Sequence, residues 1–266
     1  MAEPTLQPPH SVLVTGGGRR LGAAVCEAFA RAGWRVWCQY RGSRAAALAL
    51  CERLRAEGHA ADAVEADIAT EPGRAALMAQ LGAHGPLHCV VNNASAFEPD
   101  TGLDFDPDAA LRQLGVNLIA PLSLARLLAR QAAADDGIDR SVVHVLDQKV
   151  YNLNPDYFSY TVSKLALERA VALQAQSLAP AVRVCGVAPG ILFESGPQDH
   201  DNFQKAARAN LLRRPIDPAD VARSCVFLAG TPSVTGSILS VDNGQHLVPL
   251  PRDIMFVVDD LLKASS

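Results

Sequence analysis

One alternation constrains this chain more than any other feature: short apolar runs are separated by longer stretches with helical spacing. The runs at 11–15, 35–40, 61–67, 87–93, 141–147, 182–188 and 237–242 read as strands. Most are nearly continuous in apolar character, the pattern of strands covered on both faces. Between them, apolar residues recur at spacings of three and four: Leu21, Val25, Ala28, Phe29 and Ala32; then Leu118, Leu122, Ala125 and Leu128; then Leu165, Ala172 and Leu173. Strand and helix in strict turn predict an α/β fold. The expected architecture is a single-domain, Rossmann-type doubly wound parallel sheet of about seven strands, with helices on both faces. No internal repeat, low-complexity tract or linker divides the chain.

Composition narrows the class further. The 266 residues are 49% hydrophobic and 20% charged, which excludes a disordered or collagenous chain. A formal charge of -4 with no basic run gives no footprint for nucleic acid or a membrane surface. No run of 18 apolar residues predicts a membrane-spanning helix. Residues 1–10 have neither a basic nor an apolar region and read as a short disordered lead rather than a signal peptide. Cys26, Cys38, Cys51, Cys89, Cys185 and Cys225 are scattered among apolar neighbours without a C-x-x-C pair, as expected of buried thiols in a reducing cytoplasm. His59, His84, His88, His144, His200 and His246 lack metal-ligand spacing, so no metal site is expected, and Asp135 and Asp136 read as solvated.

Two segments depart from the alternation. Residues 191–214 follow a Pro-Gly pair, are rich in polar side chains, and sit where a ligand lid would lie at the carboxyl end of a strand. Residues 249–266 carry Ile254, Met255, Phe256, Val257, Val258, Leu261 and Leu262 and predict a tail helix, packed on a neighbouring subunit or on its own core.

The first strand runs directly into Thr15-Gly16-Gly17-Gly18-Arg19-Arg20-Leu21-Gly22 and then a helix. Glycines permit a tight turn and close backbone approach, and the helix start offers unpaired N–H groups to a pyrophosphate. Strand two ends at Tyr40-Arg41-Gly42-Ser43 without the neighbouring carboxylate that would bind a ribose 2′-hydroxyl. Arg41, with Ser43 and Arg19, suits a 2′-phosphate instead, which favours NADP(H). Further on, Tyr160 and Lys164 are four residues apart and share a helical face. The lysine charge is expected to lower the tyrosine pKa and make Tyr160 a proton donor near neutral pH.

These residues, in this order, resemble the short-chain dehydrogenase/reductase family over about residues 11–248. The matching positions are Thr15-Gly16 to Gly22, Asp67-Ile68, Asn92-Asn93-Ala94, Asn117, Tyr160 with Lys164, Pro189-Gly190, and Val241-Asp242-Asn243-Gly244. The resemblance implies that Asp67 and Ile68 flank an adenine and that Asn93 and Ala94 line the cofactor cleft. It also implies that Asn117 helps hold a proton-relay water with Lys164, and that Pro189, Gly190 and Ile191 lie by the nicotinamide. Homotetramers are implied in the same way.

Three departures point to one branch. Arg20 replaces the third glycine of the turn, Asp147 replaces the catalytic serine thirteen residues before the tyrosine, and Ser95-Ala96-Phe97 follows the asparagine motif. The combination resembles pteridine reductases, including dihydromonapterin reductases. It implies that Arg20 faces the pterin and the cofactor phosphates, and that Ser95 and Phe97 hold the pterin against the nicotinamide. The physics agrees. A carboxylate at Asp147 would repel an oxyanion and favour a ring bearing N–H donors. Two unit charges at 4 Å are worth roughly 4 kcal/mol at an effective dielectric of 20. Asp147 could also cap a helix, Phe97 could be core packing, and Arg20 could serve the cofactor alone. The expected activity is NADPH-dependent reduction of a pteridine-type ring. A carbonyl or 3-oxoacyl reductase of the same family and a non-catalytic NADP-binding sensor are the alternatives.

Overall fold

A computed structural model describes residues 10–132, 136–196 and 198–264; the lead at 1–9 and Asp135 lie outside the described residues. Among these, strands and helices alternate as β1 (Ser11–Val14), α1 (Arg20–Arg31), β2 (Arg35–Tyr40), α2 (Arg44–Ala56), β3 (Ala61–Glu65), α3 (Glu71–Gly82) and β4 (Cys89–Asn92). Then come α4 (Pro107–Leu114), α5 (Ala120–Gln131), β5 (Ser141–Val145), α6 (Phe158–Leu178), β6 (Arg183–Pro189), α7 (His200–Ala206), α8 (Pro218–Gly230), β7 (Ile238–Val241) and α9 (Ile254–Ala264). The sheet order is β3-β2-β1-β4-β5-β6-β7, and every pairing is parallel. The doubly wound seven-stranded sheet expected from the sequence is therefore present.

The strands sort their side chains by parity. Val12 and Val14 of β1 pack with Phe29, Leu54 and Leu228 beneath α1, α2 and α8. Leu13, between them, packs with Leu77, Leu124 and Leu167 beneath α3, α5 and α6. All four β1 residues are buried, whereas β3 and β7, at the sheet edges, are only partly so. Local chemistry starts several helices: Asp106 and Asp217 accept bonds from Ala109 N–H and Ala219 N–H, each ahead of a proline in the first turn.

Two expectations need correction, and a third takes one of its two expected forms. On α6 the buried stripe is Leu167, Ala170, Val171 and Ala175, while Ala172 and Leu173 face solvent. The buried face lies on the other side of the helix from Ala172 and Leu173, because it also takes polar residues, Ser163 and Lys164 among them. Asp136 is not simply solvated: it accepts bonds of 3.0 and 2.7 Å from the buried Arg140 guanidinium. The tail helix packs on its own chain, where Ile254 and Val258 meet Ala206 of α7 and Leu250.

Candidate active site

Strand order reverses between β1 and β4, and the crevice outside the carboxyl ends of the strands opens there. A cavity of about 490 Å3 occupies it. At one end the chain turns at Gly16, whose φ of +61° is readily adopted only by glycine. Gly16 N–H donates to Gln39 Oε1 at 2.9 Å, and Asn93 Nδ2 donates to the carbonyls of Thr15 (2.9 Å) and Gly16 (3.3 Å). A Cβ on Gly22 would sit 2.2 Å from the Gly16 carbonyl oxygen, so α1 can approach the turn this closely only with glycine there. Arg20 takes φ +51° in the same turn. An arginine in this conformation costs about 1 kcal/mol that glycine would not. Its guanidinium lies 5.1 Å from the Phe193 ring centroid and donates to the Glu194 carbonyl, so the turn is tied to the 191–214 segment.

At the other end, Asp147 ends the run that follows β5. One carboxylate oxygen accepts from Lys149 N–H at 2.8 Å and caps the short turn Gln148–Val150; the other accepts from the Tyr160 hydroxyl at 2.7 Å. The helix-capping and site-facing readings of Asp147 are thus both satisfied, one by each oxygen. Burial raises the Asp147 pKa against the lowering effects of those two bonds and of the Lys164 and Lys149 charges. Tyr160 does not behave as the sequence predicts. Its pKa is pushed well above the ordinary value, first by burial and then by the Asp147 charge. The Lys164 ammonium lies 5.7 Å from the Tyr160 ring centroid and donates to the Val145 carbonyl at 2.8 Å. Burial pulls its pKa down to about 8, with Asp147 opposing. The phenol is therefore a fully protonated donor at neutral pH, not an incipient phenolate.

Phe97 stacks on Tyr157 (centroids 4.1 Å, 18°) and meets Tyr160 edge-on (4.7 Å). It remains 37% exposed and lines the cavity. Asn117 lies in a π-helical turn, Gly115–Ile119, of the kind that often marks functional positions. Its side chain is engaged with the scaffold: Oδ1 accepts from Ala96 N–H (2.7 Å) and Ser95 Oγ (3.2 Å), and Nδ2 donates to the Ala96 carbonyl and Ser163 Oγ. A relay water at Asn117 would therefore rest on its main chain.

The cavity brings together Gly16, Arg19, Arg20, Leu21, Gly22, Asn93, Ala94, Ser95 and Phe97 with Asp147, Tyr160, Lys164, Pro189, Gly190 and Ile191. It does not include Tyr40, Arg41, Gly42, Ser43, Asp67 and Ile68, which lie at the ends of β2 and β3, with Arg41, Gly42 and Asp67 exposed.

A family model described as enoyl-(acyl carrier protein) reductase matches residues 18–246. The chain belongs to the short-chain dehydrogenase/reductase family. Within it the chain falls in the pteridine reductase-like branch, and it is an oxidoreductase of the family. It is 29% identical over 243 residues to dihydromonapterin reductase of Citrobacter koseri, covering 90% of this chain and 98% of that one. It is 33% identical to an uncharacterized oxidoreductase of Mycobacterium tuberculosis, covering 87% and 90%. A crystal structure of FolM alternative dihydrofolate reductase 1 from Brucella canis, complexed with NADP, superposes with TM-score 0.85 at 34% identity, covering 92% of this chain and 97% of that one.

Several residues at the site carry no local mark in the sequence. Gln148 lines the cavity, and its Oε1 is buried without a hydrogen-bond partner. Gln245 Oε1 accepts from Ile191 N–H at 2.9 Å and fixes the start of the 191–214 segment. Asp253, Ile254 and Met255 reach the cavity from the tail. Tyr40 has no carboxylate beside it in the chain, but parallel pairing sets Glu65 of β3 next to it, with the Tyr40 hydroxyl donating to Glu65 Oε2 at 3.3 Å. No signal within either short run could have announced that pairing. The turn's geometry fits a dinucleotide, because Gly16 and Gly22 leave bare backbone where side chains would stand. No described helix is long and apolar enough to cross a membrane.

Proposed function

We propose that this protein is an NADPH-dependent reductase of a pteridine-type substrate, in the dihydropterin, dihydromonapterin or dihydrofolate class. One observation carries the reading: the Asp147 carboxylate shares the cavity with Tyr160 and accepts its hydroxyl at 2.7 Å. A carboxylate there favours a ring with N–H donors over a ketone whose oxygen becomes negative. The names of the dihydromonapterin reductase relative and of the NADP-bound Brucella structure support the same class.

Gly16, Gly22 and the start of α1, with Arg19 and Leu21, would hold the pyrophosphate. Arg41, Ser43, Gly42 and Tyr40 would hold the 2′-phosphate end, with Asp67 and Ile68 about the adenine. Asn93, Ala94, Pro189, Gly190 and Ile191 would line the nicotinamide end. When bound, the cofactor supplies a hydride to the carbon of a ring C=N. Tyr160, protonated at neutral pH, gives the ring nitrogen its proton. Asp147 orients the ring through its N–H groups, and Lys164 holds positive charge behind the pair. Ser95, Phe97 and Arg20 position the pterin, with 191–214 as the lid.

The D147A variant is expected to lose pterin turnover while its NADPH affinity stays within about twofold of wild type. A stopped-flow assay with dihydropterins and a ketone panel checks this. Full activity in D147A, or ketone turnover with inert pterins, would overturn the reading.

We also propose a homotetramer in the cytoplasm. Leu111 of α4, Ile119 of the π-helical turn, and Phe158 and Val162 of α6 are exposed apolar side chains, as is Phe227 of α8, and they are available for contacts between subunits. Six free, buried cysteines suit a reducing compartment. Light scattering gives the mass.

A further inference from the structure

The tail beginning at Arg252 is fastened to the loop that carries Asp147. Arg252 Nε and Nη2 donate to the Asp156 carboxylate at 2.7–2.9 Å, and Asp253 N–H donates to the same group at 2.7 Å. Lys149 Nζ lies 3.0 Å from Asp253 Oδ2, with the lysine side chain 4% and the aspartate 16% exposed. The same lysine's main-chain N–H holds Asp147 at 2.8 Å. From the other side, Asn202 Nδ2 of α7 donates to the Met255 carbonyl at 2.8 Å. The segment held in this way presents Ile254 and Met255 to the cavity, and Met255 packs against both Tyr157 and Tyr160. Its sulfur also takes the Tyr157 hydroxyl at 3.5 Å, on the ring that backs Phe97.

We propose that Ile254 and Met255 form a wall of the substrate site, and that Lys149 is the positioning residue that holds this wall in register with Asp147. This rests on the pteridine reading for the identity of the ligand. The substrate class follows from the wall's chemistry. One side of the ring meets acceptors at Asp147, while the tail offers a thioether and a branched alkyl group with no free charge. That surface suits the flat body of a bicyclic heteroaromatic ring.

The test compares K149M, M255A and K149M/D253N with wild type, each carrying NADPH, using dihydromonapterin as probe. K149M leaves a largely buried carboxylate unpaired and is expected to raise KM about tenfold, with a smaller change in kcat and with NADPH affinity held within about twofold. M255A is expected to raise KM in the same direction by about threefold or more. K149M/D253N removes both charges and keeps an acceptor for Met255 N–H, which donates to Asp253 Oδ1 at 3.3 Å; its KM is expected to return to within about threefold of wild type. Hydrogen exchange in wild type should slow over residues 252–256 when dihydromonapterin joins the NADPH complex. An unchanged KM in folded K149M or M255A, unchanged exchange, or a double variant as impaired as K149M would each overturn the proposal. If wild type reduces ketones and no pterin, the pteridine reading falls alone. The KM for the ketone then becomes the readout for the wall, with the same outcomes for and against.

Discussion

The two ends of the cavity are built differently. The turn at 15–22 is made of backbone: its shape follows from one positive-φ glycine, one glycine allowing α1 to approach, and hydrogen bonds that the turn accepts from Asn93 Nδ2 and donates to Gln39 Oε1. The end at Asp147 is made of side chains drawn from three distant segments: charged at Asp147, Lys164 and Asp253, apolar at Leu192, Phe193, Ile254 and Met255, and held by ion pairs and burial. A backbone site tolerates almost no change in side-chain volume and is indifferent to pH. A side-chain site tolerates repacking but depends on which groups are charged. Cofactor binding and substrate handling should therefore fail separately and in response to different perturbations.

The sharpest way to break that contrast is at Gly22. In G22A the added carbon would meet the Gly16 carbonyl at 2.2 Å, so α1 must retreat from the turn. Fluorescence titration is expected to give NADPH affinity weakened about a hundredfold or more, and calorimetry a Tm lower by several degrees, about 2–4 °C per kcal/mol. Normal affinity would mean that the backbone turn is less exacting than its geometry.

The charged end should instead answer to pH. Burial sets the Lys164 pKa at about 8, below the ordinary lysine value, so the ammonium is present below that pH and lost as pH rises through it. The kcat/KM profile is expected to fall on its alkaline side with a midpoint near 8, while NADPH affinity stays flat over the same range. Because the Asp147 charge supports the ammonium, D147N should move the lysine midpoint to lower pH in an NMR titration. A shift to higher pH would reverse the assigned electrostatics.

Arg20 belongs to both ends and gives the smallest effect. R20G relieves the positive-φ cost of about 1 kcal/mol but removes the contacts to Phe193 and Glu194. Stability should hold or rise slightly, and the pterin KM should rise about three- to tenfold. A stability loss would show that the lid tie outweighs the backbone relief.

Legibility in the sequence followed the same division. Strand and helix alternation, the glycine turn, and the Asp147, Tyr160 and Lys164 set are local patterns, and each stands where the chain predicts. The direction of the tyrosine shift was not legible. Spacing along a helix reports Lys164 but not burial, nor which partner takes the hydroxyl. The α6 register is not legible in the sequence because polar residues share its buried face, which the periodicity of apolar residues does not report.

Backbone periodicity and glycine placement are properties of neighbours in the chain, so the amino-acid order alone determined the doubly wound sheet and its nucleotide-binding turn. Contacts such as Lys149 with Asp253, 104 residues apart, and Tyr40 with Glu65, across two strands, exist only once the chain has closed on itself. Charge state and pocket walls depend on those long-range neighbours and on the water they exclude. The tertiary structure therefore decided the tyrosine's protonation and the tail's place at the site.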